Sequence, residues 1–282
     1  MAVVLTADST CDLTEDLKKE CQVSYTPLHI VLGDKSFEDG VNIMPPDIYK
    51  NFEATGELPR TAAVSAGEYI DVFSTLVEKG NSVVHINLGS AISSSYQNAC
   101  IAAEEVGNVF VVDSCNLSTG SGHLVIEAAK MVKEGLEAKE IAERLRKMTK
   151  KVHSSFVIDK LDYLRAGGRC STLAMLGANL LKIKPSIIVN NNDGSMTLGK
   201  KYRGRLENVL IQYVDEQLAA YDNIRSDKIF ITHAGIGDNY VNLVYDHVKS
   251  KNFFENIYIT TASCTISSHC GPGTLGILFM TE

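Results

Sequence analysis

The sequence predicts an α/β protein of two α/β domains, the first with a mainly parallel sheet, the second with a mixed sheet, and a cleft between them. Three observations predict it. Short apolar runs that end in small hydroxyl residues alternate with longer helical stretches through the first 150 positions, the rhythm of βαβ units. In the second half Asn191-Asn192-Asp193-Gly194 separates two apolar runs, and Asp-Gly there tolerates the positive φ of a hairpin turn. The length, 282 residues, suits one large domain or two smaller ones.

Taken in order, Ala2–Leu5, Ser82–Leu88 and Asn108–Val112 read as strands, with helices over Gly67–Glu78 and Ser94–Val106 between them. Thr119–Lys133 and Ala138–Lys150 read as two further helices. The second ends in the charged run Lys147-Met148-Thr149-Lys150-Lys151, which sets the expected domains at 1–151 and 152–282. Ser155–Ile158 reads as a strand leading into a helix that contains Tyr163. The hairpin joins Lys184–Asn190 to Ser195–Leu198. Glu207–Ala220 and Asn239–Lys249 are helical, and Lys228–Thr232 and Ile257–Thr261 are strands with which Leu275–Met280 is expected to pair.

Composition narrows the function. The chain is 45% hydrophobic and 22% charged, an ordinary globular balance, with a formal net charge of −7 that argues against general nucleic-acid binding. No apolar run approaches the ~20 residues of a membrane helix, so no stable membrane insertion is expected. The N-terminus lacks a basic region and turns acidic at Asp8, which predicts a cytoplasmic location. Seven cysteines without a CxxC pair read as reduced thiols. Cys264, His269 and Cys270 fit no common zinc spacing, and no metal or cofactor is expected. Gly271-Pro272-Gly273-Thr274-Leu275-Gly276 matches GxGxxG but leaves six residues for the helix that fingerprint needs. Walker A and GxSxG patterns are absent.

The expected strand ends carry hydroxyls at Ser9, Thr10, Ser90 and Ser114, with Asp8 and Asp113 beside them as helix caps or loop acceptors. Ser93-Ser94-Ser95 opens a helix. One serine suffices for a cap, so hydroxyls remain for an anion at the helix N-terminus. Thr61 follows Pro59-Arg60 and precedes another helix, a second site of the same kind. In Asp162-Tyr163-Leu164-Arg165-Ala166-Gly167-Gly168-Arg169, Gly167 reads as a helix stop with Arg165 on the helix dipole, while Arg169 lies beyond the stop. His269 precedes the turn Gly271-Pro272-Gly273.

These stretches, in this order, resemble the DegV family of bacterial fatty-acid-binding proteins. Leu161–Arg169 and His269–Gly273 are the most specific parts, and the likeness begins at Thr6-Ala7-Asp8-Ser9-Thr10-Cys11-Asp12-Leu13. It departs at Ala62-Ala63-Val64-Ser65 and at Ser94, where the family usually has glycine. The resemblance implies one long-chain fatty acid, such as palmitate, stearate or oleate, bound between two α/β domains. Its carboxylate would rest on Thr61, Ser93 and Ser94. A separate ATP-dependent fatty acid kinase would convert it to an acyl phosphate for phospholipid synthesis, with Arg169 and His269 contacting the phosphate. On that reading the chain is a carrier and not itself an enzyme.

Two other classes stand beside it: a lipid-sensing regulatory protein, and a hydrolase or phosphatase using Ser93, His269 and Asp8. Finally, Lys182, Lys184, Lys200, Lys201, Arg203 and Arg205 fall in one stretch opposed by Asp193 alone, a local charge of +5. This is either a solvated face or a docking patch, with Arg203, Arg205, Lys200 and Lys201 meeting an acidic surface of the kinase.

Overall fold

A computed structural model describes residues 1–170, 172 and 183–282. The chain opens with β1 (Ala2–Asp8), a 3-10 turn, α1 (Glu15–Cys21) and β2 (Val23–Thr26), then β3 (His29–Leu32) and β4 (Lys35–Glu38). Next come α2 (Pro45–Thr55), β5 (Arg60–Ala62), α3 (Ala66–Val77), β6 (Asn81–Asn87), α4 (Ser95–Val106) and β7 (Val109–Asp113). The helices α5 (Thr119–Lys133) and α6 (Ala138–Met148) lead to β8 (Val152–Val157) and α7 (Asp162–Gly167). The chain then runs through β9 (Lys184–Val189), β10 (Met196–Tyr202), α8 (Leu206–Ala219), β11 (Ile224–Ala234) and α9 (Asp238–Ser250). It finishes with β12 (Ile257–Thr261), α10 (Cys264–Cys270) and β13 (Thr274–Thr281).

The first sheet has the order β2-β1-β6-β7 with every pairing parallel. Its central strand β6 is buried over most of its length, as a strand covered by helices on both faces must be. Tyr69 and Phe73 of α3 and Ala99 and Ala102 of α4 share one core. Leu124, Val125 and Ala128 of α5 and Ile141 and Leu145 of α6 share another.

The second sheet has the order β10-β9-β8-β13-β11-β12 and is mixed: β11 and β12 are parallel, the other neighbours antiparallel. Side chains alternate faces along a strand. Ile229 and Ile231 of β11, with Ile277 and Phe279 of β13, accordingly face the cluster of α8 and α9. Phe230, Leu278 and Met280 point the other way and join the α5 core of the first sheet. That shared core holds the two sheets together.

The expected parallel strands, α5 and the β9–β10 hairpin are present, and Gly194 of the hairpin turn has φ +80°. Other expectations need correcting. Leu275–Met280 pairs with β11 and β8 but not with β12, which lies on the far side of β11. A three-stranded antiparallel sheet, β4-β3-β5, is an element the sequence did not announce, because its strands have only three or four residues each, too short for a period to show. Thr61 lies in β5 opposite Ile30, so it does not open a helix; Ser65 caps α3, accepting from the Glu68 amide. His269 lies on α10, a helix not expected ahead of the turn at Gly271-Pro272-Gly273. The stop of α7 is Gly168, at φ +66°, and Gly167 is still helical.

Candidate functional site

A cavity of about 260 Å³ lies where the carboxyl ends of the parallel strands meet the face of the mixed sheet. Leu28, Leu88, Leu117 and Ser118 come from loops that follow the parallel strands, while Phe156, Met196, Thr232 and Leu278 come from the mixed sheet. Ligands in open α/β sheets sit at such strand ends. The lining combines apolar side chains with hydroxyls, two histidines and one arginine, and it includes Thr61, Ser93, Ser94, Arg169 and His269 together.

These five arrive from four separate parts of the chain, Ser93 and Ser94 sharing the loop before α4. Thr61 is carried in by β5, and its Oγ1 lies 2.8 Å from His269 Nε2. His269 stands at the end of α10, whose first turn is anchored by two buried carboxylates. Asp39 accepts from the amides of Cys264 (2.8 Å) and Thr265 (2.9 Å), and Asp12 accepts from the amide of Ser263 (2.9 Å). Asp12 also accepts from the Ser118 hydroxyl at 2.5 Å. Burial pushes the Asp12 carboxyl up to about 7 against the lowering effect of these hydrogen bonds.

Gly167 supplies the flat surface on which the His269 ring rests; a methyl group there would overlap Nδ1. Burial, with the neighbouring Arg169 cation adding to it, depresses the His269 imidazole to about 4. It is neutral near pH 7, and its Nδ1 has no hydrogen-bond partner among the described residues. Arg169 is exposed; its Nη1 donates to the Gly167 carbonyl at 2.6 Å and its Nε reaches the Ile92 carbonyl at 3.5 Å. It thereby bridges the Gly-Gly turn and the loop that carries Ser93.

The three serines divide their work. Ser93 Oγ accepts from the Ser95 amide (3.1 Å) and donates to Ser95 Oγ (3.0 Å), which closes a local turn just ahead of α4. Ser95 is buried, while Ser94 is exposed and lines the cavity. Ser94 is thus the hydroxyl to spare.

Asp8 and Asp113 cap no helix. Asp8 is fully buried and accepts from Tyr69 Oη (2.5 Å), the Leu88 amide (2.8 Å) and Asn87 Nδ2. Asp113 accepts from the amides of Ser90 and Cys115. The constellation of Ser93, His269 and Asp8 is therefore not assembled: Asp8 holds the first sheet's loops and does not line the cavity, and His269 bonds Thr61 instead.

The basic residues lie apart from the cavity. Lys201, Arg203 and Arg205 are exposed at the end of β10 and in the loop before α8, and make no ion pair among the described residues. Lys200 pairs with Glu216, and Lys184 with Asp159. Lys182 lies outside the described residues. No metal-binding group of His, Cys, Asp or Glu occurs among the described residues, and burial pushes the Cys270 thiol up to about 12. No described helix is long and apolar enough to cross a membrane.

Asp12 and Asp39 are the positioning residues that sequence reasoning missed as a pair. A family model described as "Uncharacterised protein, DegV family" matches residues 2–282. The chain belongs to the DegV family. A DegV domain-containing protein of Caldanaerobacter subterraneus is 30% identical over 98% of both chains. A fatty-acid-binding DegV family protein from Thermus thermophilus superposes with a TM-score of 0.89 at 26% identity, covering 100% of each chain. A stearic-acid-binding protein from Eubacterium ventriosum gives 0.83 at 25% identity, covering 100% of this chain and 98% of its own. The fold is thus that of the two-domain DegV proteins.

Proposed function

We propose that the chain binds one long-chain fatty acid in this cavity and presents its carboxylate to a separate ATP-dependent fatty acid kinase. The observation that carries the reading is the single cavity in which an apolar lining meets Thr61, Ser93, Ser94, Arg169 and His269. Fatty-acid binding by structural neighbours at 25% and 26% identity supports it.

The energetics are consistent. Burying about a dozen methylenes contributes on the order of 10 kcal/mol, against roughly 4–15 kcal/mol for lost translational and rotational freedom. The tail must supply most of the affinity. The carboxylate then needs hydrogen bonds so that its burial is not costly. Ser94 supplies one from its free hydroxyl, and Thr61 and Ser93 supply others by turning from His269 and Ser95 to the carboxylate, without a strong ion pair, which leaves an oxygen free to attack the γ-phosphorus of ATP. The attack forms the O–P bond of the acyl phosphate and expels ADP. Arg169, exposed at the mouth, balances charge on the new phosphate, and His269 donates or accepts through a neutral ring.

A kinase-coupled assay tests the role. Delipidated protein, stearate, ATP and a DegV-associated kinase should yield acyl phosphate in proportion to the protein added. Turnover of ester or phosphate substrates by the chain alone would instead make it an enzyme.

A further inference from the structure

Asp12 stands one side chain behind the cavity wall. Ser118, which lines the cavity, donates to its Oδ2 at 2.5 Å, and the amide of Ser263 donates to its Oδ1 at 2.9 Å. The residue is 6% exposed, and no cation acts on it among the described residues. The titratable groups around it are Cys11 in the turn after β1, Tyr25 of β2, Asp39 in the loop after β4 and Cys270 of α10. None of them carries positive charge. Cys270 also lines the cavity, next to His269, so the field of Asp12 reaches the wall on which the head group is placed.

An anion brought into the cavity meets that field. Two like charges about 10 Å apart inside a protein repel strongly enough to shift one of them by roughly one pKa unit. A proton on Asp12 relieves the repulsion, and its hydrogen bonds permit one. Oδ2 faces the Ser118 hydroxyl, which accepts as readily as it donates. Protonated at Oδ2, Asp12 donates to Ser118 Oγ and still accepts from the Ser263 amide at Oδ1. Asp39 lacks this option, because each of its oxygens faces an amide N–H.

Resting on the fatty-acid reading above, we propose that ligand binding is proton-linked through Asp12: a fatty-acid anion enters the cavity together with a proton, which Asp12 takes up at Oδ2. Burial, against its two hydrogen bonds and with the charge of Asp39 adding to it, already holds the carboxyl up at about 7 in the free protein. The bound anion raises it further, so uptake is greatest just above pH 7. Affinity is highest below that pH and falls as pH rises, until Asp12 is ionised in both states.

Titration calorimetry of the delipidated full chain with monomeric, ionised laurate, in buffers of different ionisation enthalpy, counts the protons. Wild type at pH 7.5 should take up roughly half a proton per laurate, and its Kd should rise roughly fivefold between pH 6.5 and pH 8.5. Asp12→Asn, whose amide reproduces the protonated hydrogen-bond pattern, should bind laurate without uptake. Ser118→Ala removes a bond that favours the ionised carboxyl, so its pH of greatest uptake should move upward; it carries the test where Asp12→Asn does not fold. Wild type that takes up no proton overturns the coupling while the fatty-acid reading stands. Uptake that persists in folded Asp12→Asn, or that keeps its pH in Ser118→Ala, does the same and assigns the proton elsewhere. Failure of wild type to bind laurate at every pH overturns the fatty-acid reading, and the coupling with it.

Discussion

Thr61 and His269 stand 208 positions apart in the chain, and their side chains meet at 2.8 Å across the cavity. One is delivered by a three-residue strand, the other by a seven-residue helix. Neither element has intrinsic stability at that length. Their meeting is a tertiary product, and it makes the site sensitive to residues that never touch a ligand.

Replacing the head-group hydroxyls, Thr61→Ala with Ser93→Val, should weaken fatty-acid binding by roughly 1.5–3 kcal/mol for each hydrogen bond lost to the charged carboxylate. Circular dichroism should remain that of the wild type. Unchanged affinity in the folded double variant removes both from the site.

For Arg169→Ala and His269→Ala the expected pattern is separation of functions: bound fatty acid retained, acyl-phosphate formation with kinase and ATP lost. If lipid binding is lost instead, these side chains hold the carboxylate.

Gly167→Ala places a methyl against the His269 ring, and overpacking of this kind costs about 1–3 kcal/mol. Thermal denaturation should show a lowered Tm, accompanied by impaired phosphorylation. A Tm equal to wild type would mean that the ring moves aside freely.

The pH dependence of stability follows from a neutral His269. Its folded value, about 4, lies below the ordinary 6.5, so the unfolded chain takes up the proton first. Its contribution is full above 6.5 and is lost as pH falls toward 4, up to roughly 3 kcal/mol. Asp12 acts in the opposite sense: its raised value favours the fold below about 3.8, and this is lost as pH rises toward 7. The difference between wild type and His269→Gln isolates the histidine. Urea unfolding at pH 7.5 and pH 4.5 should show that difference shrinking in acid; a constant difference contradicts a neutral, buried ring.

Arg203→Glu with Arg205→Glu should slow encounter with the kinase most at low ionic strength and leave lipid content unchanged, because charge complementarity acts on association and is screened by salt. Lys200, already paired with Glu216, should matter less than Lys201. Phosphorylation equal to wild type at low salt reduces the patch to a solvated face.

Much of this was legible in the sequence, for identifiable reasons. The parallel strands and α5 announce themselves because burial and periodicity are local properties, and Asp193-Gly194 encodes its turn locally. The helix α10 was not legible. Its seven residues, Cys264-Thr265-Ile266-Ser267-Ser268-His269-Cys270, carry no amphipathic repeat, and its first turn is fixed by carboxylates 225 and 251 positions away. Asp8 read as a cap or loop acceptor because it ends a strand; its partners Tyr69 and Asn87 lie 61 and 79 positions on. Thr61 reads as the approach to a helix, whereas it lies in β5, and a three-residue edge strand leaves no pattern.

Denaturing mass spectrometry of the purified protein, with quantitative extraction of released lipid, tests the central claim most directly. Wild type should release one long-chain fatty acid per chain, and Thr61→Ala with Ser93→Val clearly less. A wild-type protein that carries no fatty acid, and takes none up from stearate after delipidation, would contradict it.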